Sequence, residues 1–300
     1  MVDLVVVGSI ALDSVKTPFG DVKDILGGAA TYSSVAASIF CRPGLVGVVG
    51  EDFPREHIDF LNKRNIATDG LEVVPGKTFR WSGYYEFDMN QAHTTDTQLN
   101  VFSSFRPKIP PKYLEAKYLF LANIDPVLQL DVFLQLKNAK FVALDTMNFW
   151  ISTKRDELMK IIGKVNLLLI NDAEARQLMN TPNLVRAARM LLKVGPDAVI
   201  IKKGEHGALL FTDGMCFSAP AYPLEDLKDP TGAGDSFAGG IMGYLASTDD
   251  VSVENMRKAI IFGSSIASFN AEDFSLNKLK KITRDDILKR YKEFERLVEF

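Results

Sequence analysis

Short, near-continuous apolar runs alternate with helix-like stretches along most of this chain, and that alternation limits its fold more than any other feature of the sequence. The apolar runs lie at 4–7, 45–49, 118–121, 141–144, 167–170, 198–201 and 208–211, each bounded by Gly, Asn or Asp or close to one. Uninterrupted Val/Ile/Leu runs suit strands covered on both faces, as in parallel sheets. Helix-like stretches fall between them at 29–40, 56–65, 131–136, 155–163, 174–179 and 184–194. The pattern predicts an α/β fold, a three-layer doubly wound and mostly parallel sheet.

Residues 74–107 break the alternation. They hold few helix signals and many aromatic and polar residues, and 78–87 reads as exposed antiparallel strand. We expect a single domain over 1–300 carrying a small β lid, built mainly from about 74–107 plus part of 10–26. Exposed strand edges in that lid invite pairing between subunits, so a homodimer through the lid is expected. Thr283 followed by Asp286 forms a capping arrangement. Ile287, Leu288, Tyr291, Phe294, Leu297 and Val298 then fall near helical spacing, predicting a C-terminal helix packed on the sheet.

Composition serves to exclude. With 47% hydrophobic and 24% charged residues over 300 positions, a large core can be buried. Thirty-five Lys and Arg against 38 Asp and Glu give a net charge of −3, no basis for a nucleic acid or an anionic membrane as partner. Cys41 and Cys216 show no pairing pattern and are expected as buried thiols. His57, His93 and His206 lack ligand spacing and are expected at the surface. The apolar N-terminal run follows Asp3 without a basic region, so it reads as a first strand and the compartment as the cytoplasm.

The densest chemical signal is the stretch from Asp229 to Gly240, DPTGAGDSFAGG. Gly232, Ala233 and Gly234 let backbone amides approach a ligand closely, and a helix starts there. Unpaired N–H groups and the positive end of the helix dipole make an anion site. Asp235 beside that site is wasteful unless it receives a proton. As a general base it would take one from a substrate hydroxyl while the amides hold phosphoryl oxygens. An ordinary helix-start acid after a tight turn is the structural alternative.

The longer string resembles the D-T-x-G-A-G-D-x-F signature of the ribokinase-like, or PfkB, carbohydrate kinase family. The resemblance implies a kinase that moves the γ-phosphoryl group of ATP to a hydroxymethyl group, with Asp235 as base and the Gly232, Ala233 and Gly234 amides on the developing charge. It also implies a monovalent cation, K⁺, near Asp229 and Thr231. The pair Gly27–Gly28, with Thr31 beyond it, resembles the family's sugar-side signature, although the asparagine usual in that stretch is missing and Tyr32 ends it. Asp13 resembles the family's acidic residue for substrate hydroxyls. Asp145 with Asn148 resembles a substrate-side D-x-N element, one residue longer here.

On the nucleotide side, Asn171 and Glu174 resemble the N-x-x-E motif that organises Mg²⁺, often through water; a helix cap explains the same spacing. Lys202, Gly204 and Gly207 match the loop passing the phosphates. Ser264 and Ala267 fall in the helix that borders the adenine pocket in relatives. The acceptor expected first is a sugar, with a nucleoside as the alternative, favoured by the aromatic lid and the missing asparagine. A non-catalytic sugar or nucleotide sensor is the rival of another class. A phosphosugar acceptor would need basic residues near it, and Lys16, Lys23, Arg80 and Arg106 are scattered in sequence.

Overall fold

The computed structural model describes residues 1–299, so the final position of the expected domain lies outside the described residues. The strands, in chain order, are β1 (Leu4–Val7), β2 (Ala11–Thr17), β3 (Gly20–Gly27), β4 (Pro43–Gly50), β5 (Ala67–Val74), β6 (Arg80–Tyr85), β7 (Ala92–Gln98), β8 (Tyr118–Leu121), β9 (Phe141–Asp145), β10 (Leu167–Asn171), β11 (Ala198–Lys202), β12 (Ala208–Thr212) and β13 (Met215–Ala219). The helices are α1 (Ala29–Ala37), α2 (Arg55–Lys63), α3 (Pro126–Gln135), α4 (Asn148–Thr153), α5 (Arg155–Ile162), α6 (Asp172–Met179), α7 (Leu184–Leu192), α8 (Ala233–Thr248), α9 (Val253–Ala271) and α10 (Arg284–Leu297).

Nine strands form one sheet in the order β13-β12-β11-β10-β9-β8-β1-β4-β5. From β11 through β5 every pairing is parallel; β12 and β13 add an antiparallel edge. The apolar runs of β1, β8 and β9 are buried throughout, because helices cover both faces. One core lies between the sheet and α1, α8, α9 and α10, the other between the sheet and α3, α5, α6 and α7. Strand order reverses at β1, and the carboxyl ends of parallel strands beside such a reversal are where α/β sheets bind ligands.

The remaining strands form a second sheet, β3-β2-β6-β7. Its outer pairs are antiparallel, but β2 and β6 run parallel, which the sequence reading did not anticipate. The cause is topological: β2 leaves the main sheet from β1 and β6 from β5, two strands that point the same way.

Packing between α1 and α8 brings the site together. A Cβ on Gly239 would lie 2.2 Å from the Ser33 carbonyl oxygen, and one on Gly243 2.6 Å from Ala37 Cα. The glycines let the two helices touch backbone to backbone, with their N-termini side by side. The C-terminal helix has its capping box, Thr283 with Asp286, and buries Ile287 and Phe294, whereas Leu288, Leu297 and Val298 stay exposed.

Other expectations need correction. Cys41 is half-buried and Cys216 exposed, because β13 is the outermost strand. His57 and His93 are half-buried, against Phe53 and Tyr84 respectively; His206 is exposed. Helix α3 starts at Pro126 rather than 131, since Asp125 accepts a hydrogen bond from the Val127 amide and Pro fits the first helical turn.

Candidate active site

The turn into α8 is built by short-range bonds. The Thr231 amide donates to Asp229 Oδ1 at 2.9 Å. Gly232 adopts φ +75°, and a Cβ there would lie 2.5 Å from the Tyr32 ring. The Ala233 amide donates to the Pro230 carbonyl at 3.0 Å, and the Ser236 amide to the Gly232 carbonyl at 2.8 Å. The amides of Gly232, Gly234 and Asp235 have no hydrogen-bond partner among the described residues. This changes the expected donor set: Ala233 spends its N–H closing the turn, and the open amides are those of its neighbours and of Asp235 itself. Ser33 Oγ donates to the Asp235 carbonyl at 3.0 Å, tying α8 to α1.

Lys202, at the carboxyl end of β11, lies against this turn. Its Nζ is 2.7 Å and 3.0 Å from the two carboxylate oxygens of Asp145. A Cβ on Gly234 would come within 3.5 Å of Nζ. Burial opposes the ammonium charge, but Asp145 and Glu174 outweigh it, so Lys202 is held above its ordinary value. Asp235 is pushed up to about 7, first by burial and then by the Asp145 charge, with Lys202 opposing. Glu174 also rises to about 7, chiefly through burial. Asn171 and Glu174 form a reciprocal capping box at the start of α6, each side chain bonded to the other's amide at 2.8 Å.

The expected Asp145–Asn148 pair is not brought together. Asp145 is buried against Lys202 and accepts the Thr146 amide, while Asn148 is exposed at the first turn of α4. The extra residue between them lets the chain leave β9 before α4 begins.

Asp13, in β2, lies near enough to Asp235 for their charges to interact. Its carboxylate lies over Gly27, where a Cβ would meet Oδ2 at 1.8 Å. Gly28 has φ +94°, with no room for a Cβ beside the Ser9 carbonyl. Asp13 is pushed up to about 7 by burial, opposed by a Gly28 backbone bond and reinforced by Asp229 and Asp235. Three carboxyl groups therefore share one low-dielectric region. Thr31 is fully buried, and its hydroxyl has no hydrogen-bond partner among the described residues.

The small sheet covers this region. Tyr85, in β6, accepts a hydrogen bond from Thr231 Oγ1 at 3.3 Å, and Asn90 Nδ2 lies 3.4 Å from Glu205 Oε1. Gly204 is exposed at φ +55°. Gly207, at φ +79°, is required by packing, since a Cβ would fall 2.1 Å from the Ala219 carbonyl. Ser264 is buried and Ala267 half-buried on α9, one turn apart. Sequence reasoning passed over Asn270, Ser236 and the structural role of Tyr32; only a spatial arrangement links them to the turn.

Residues 1–281 match the family model described as pfkB family carbohydrate kinase. The chain belongs to that family. This pfkB-family kinase is 34% identical over 251 residues to a cytidine kinase of Thermococcus kodakarensis, covering 81% of the chain and 89% of the relative. It is 24% identical to a nucleoside kinase of Methanothermobacter thermautotrophicus, with 90% of each chain covered. A solved nucleoside kinase of Methanocaldococcus jannaschii, described as an archaeal member of the ribokinase family, superposes with a TM-score of 0.78 at 20% identity, covering 97% of this chain and 98% of that one. The ribokinase-like fold expected from the sequence is thus shown, and the protein is an ATP-dependent phosphotransferase of the sugar and nucleoside kinase class.

Proposed function

We propose that this kinase transfers the γ-phosphoryl group of ATP to the hydroxymethyl group of a nucleoside, with Asp235 as general base. The observation that carries the reading is the position of the Asp235 carboxyl. It is half-buried at the start of α8, next to the open amides and near enough to Lys202 and Asp13 for their charges to interact. The acceptor hydroxyl oxygen forms a bond to the γ-phosphorus as the bond from that phosphorus to the β,γ-bridging oxygen breaks. The hydroxyl proton passes to Asp235, and ADP leaves with the bridging oxygen. Amides of Gly232, Gly234 and Asp235, with Lys202, stabilise the charge on the transferred group.

Asp13, Gly27, Gly28 and Thr31 would hold the acceptor. A carboxylate can accept two hydroxyls of a ribose, and the unpartnered Thr31 hydroxyl is free to join. Ser264 and Ala267 would border the base of ATP, while Gly204 and Gly207 shape the loop beside its phosphates. Asn148 is retained only at the rim. Asn171 and Glu174 each commit one oxygen to the capping box, and the second Glu174 oxygen fits a hydrated Mg²⁺, which supplies charge neutralisation on the phosphates. Asp229 Oδ2 is buried without a hydrogen-bond partner among the described residues, which fits a monovalent cation such as K⁺ held with Thr231. The small sheet would act as a lid that excludes water. Its exposed β7 edge suits a homodimer.

A nucleoside is preferred to the sugar expected first because the 34% identical relative is a cytidine kinase and the chain covers 89% of it. A simple sugar is the second reading, supported by the family as a whole. ADP release measured over a panel of nucleosides and free sugars decides between them. Cytidine or another nucleoside turned over with kcat/KM at least about tenfold above any sugar is the expected result. The reverse order rejects the nucleoside.

A further inference from the structure

We propose that Asn270 is a positioning residue for the phosphoryl-transfer turn, an inference that rests on the reading of Gly232–Asp235 as the reacting site. Asn270 is fully buried in the last turn of α9. Its Nδ2 donates to the Thr231 carbonyl at 2.8 Å, and its Oδ1 accepts from Ser236 Oγ at 3.2 Å. Those partners bracket the segment that carries the open amides and the base. One amide side chain thus holds both ends of a four-residue stretch.

The geometry has a directional consequence. In a trans peptide the carbonyl and the N–H point opposite ways. Fixing the Thr231 carbonyl onto α9 turns the Gly232 N–H away from α9 and out of the turn. The same helix end also binds the segment just before it, since the Ala271 carbonyl accepts both the Lys228 and the Asp229 amides. A buried asparagine in a helix is costly unless both its polar atoms are satisfied, and here the turn satisfies both. Asn270 touches neither acceptor nor phosphate under the proposed function. It acts through the peptide of Gly232 and through the start of α8.

The test compares Asn270→Ala and Asn270→Asp with wild type, using the best acceptor from the panel. Asn270→Asp keeps the volume and removes the amide donor to Thr231. Near-UV circular dichroism confirms folding. Expected in a folded variant is a fall in kcat of at least about tenfold, as for ångström-scale misplacement of reacting groups. Acceptor KM should stay within about threefold and ADP affinity within about twofold. A folded variant with kcat within twofold of wild type, or with losses spread equally over acceptor KM and ADP affinity, overturns the proposal. Should neither variant fold, Ser236→Ala removes the weaker contact alone: kcat falls at least about threefold if the clamp matters, and unchanged kcat overturns it. A wild-type protein that phosphorylates no acceptor rejects the phosphotransfer reading instead. Asn270 is then judged by calorimetry, where a tenfold loss of affinity for ATP but not ADP supports the clamp and equal affinities for both nucleotides in variant and wild type overturn it.

Discussion

The Tyr32 ring packs against Gly232, so that a Cβ on Gly232 would stand 2.5 Å from three of its ring atoms. Tyr32, in the first turn of α1 after Gly27–Gly28, thus packs against the turn into α8. Gly232 also needs φ +75°, a conformation that costs an L-residue about 1–2 kcal/mol. Gly232→Ala must therefore absorb both strain and a ring contact. We expect kcat to fall at least about 100-fold, by analogy with the loss of one oxyanion donor. Melting should shift down by several degrees. Unchanged turnover would show that the reaction does not depend on the conformation of this turn.

The second prediction concerns protons. Burial and the Asp145 charge place the Asp235 carboxyl at about 7 in the free protein. A general base works ionised, so kcat/KM should rise with pH through about 7 and level off above it. Asp235→Asn should cost at least about 100-fold in kcat and leave ADP affinity nearly unchanged. A wild-type pH profile flat from 6 to 8 would contradict the assignment. So would an Asp235→Asn variant of normal turnover.

Lys202 yields a third expectation. Its ammonium neutralises Asp145, which is otherwise a buried carboxylate without a cation. Lys202→Met removes a positive charge from the phosphate side and leaves Asp145 facing Asp235 unopposed. ATP affinity should fall by at least about tenfold. The pH at which kcat/KM reaches half its plateau should move upward, because a like charge disfavours ionisation of Asp235. Binding by calorimetry and the pH profile of the variant check the two arms separately. A downward move of the profile would show that Asp145 does not act on Asp235.

These cases mark what was legible in the sequence. The parallel layers were readable because strands such as β1 and β8 are apolar end to end, and that property survives without knowing their neighbours. The turn at Gly232 was readable because its requirements are local: small residues, then a helix. The Lys202–Asp145 pair was not, since the partners are 57 residues apart and reach each other across β10, which lies between β9 and β11. Asn270 was hidden for a similar reason, being 39 residues from the carbonyl it holds. The role of the Ala233 amide needed the turn type itself, which the string Gly-Ala-Gly leaves open. The exposure of Asn148 was not legible either, because motif spacing says nothing of where the chain leaves β9.

The last prediction sets function against stability. Asp235, Asp13 and Glu174 are each raised to about 7 in the folded protein. Unfolded carboxyls titrate near 4. Between these values the folded chain binds more protons than the unfolded one, so stability falls as pH rises from about 4 to about 7 and stays low above that. Above pH 7 the folded protein carries ionised groups that burial disfavours. Asp235→Asn removes one such charge while keeping its shape. It should therefore melt at least about 2 °C higher than wild type at pH 8, with the gap closing towards pH 5, where both forms are neutral in the fold. Differential scanning calorimetry across pH 5–8 measures the gap. A variant less stable than wild type at pH 8 would mean that the ionised Asp235 carboxylate is stabilised by its surroundings and is not strained for catalysis.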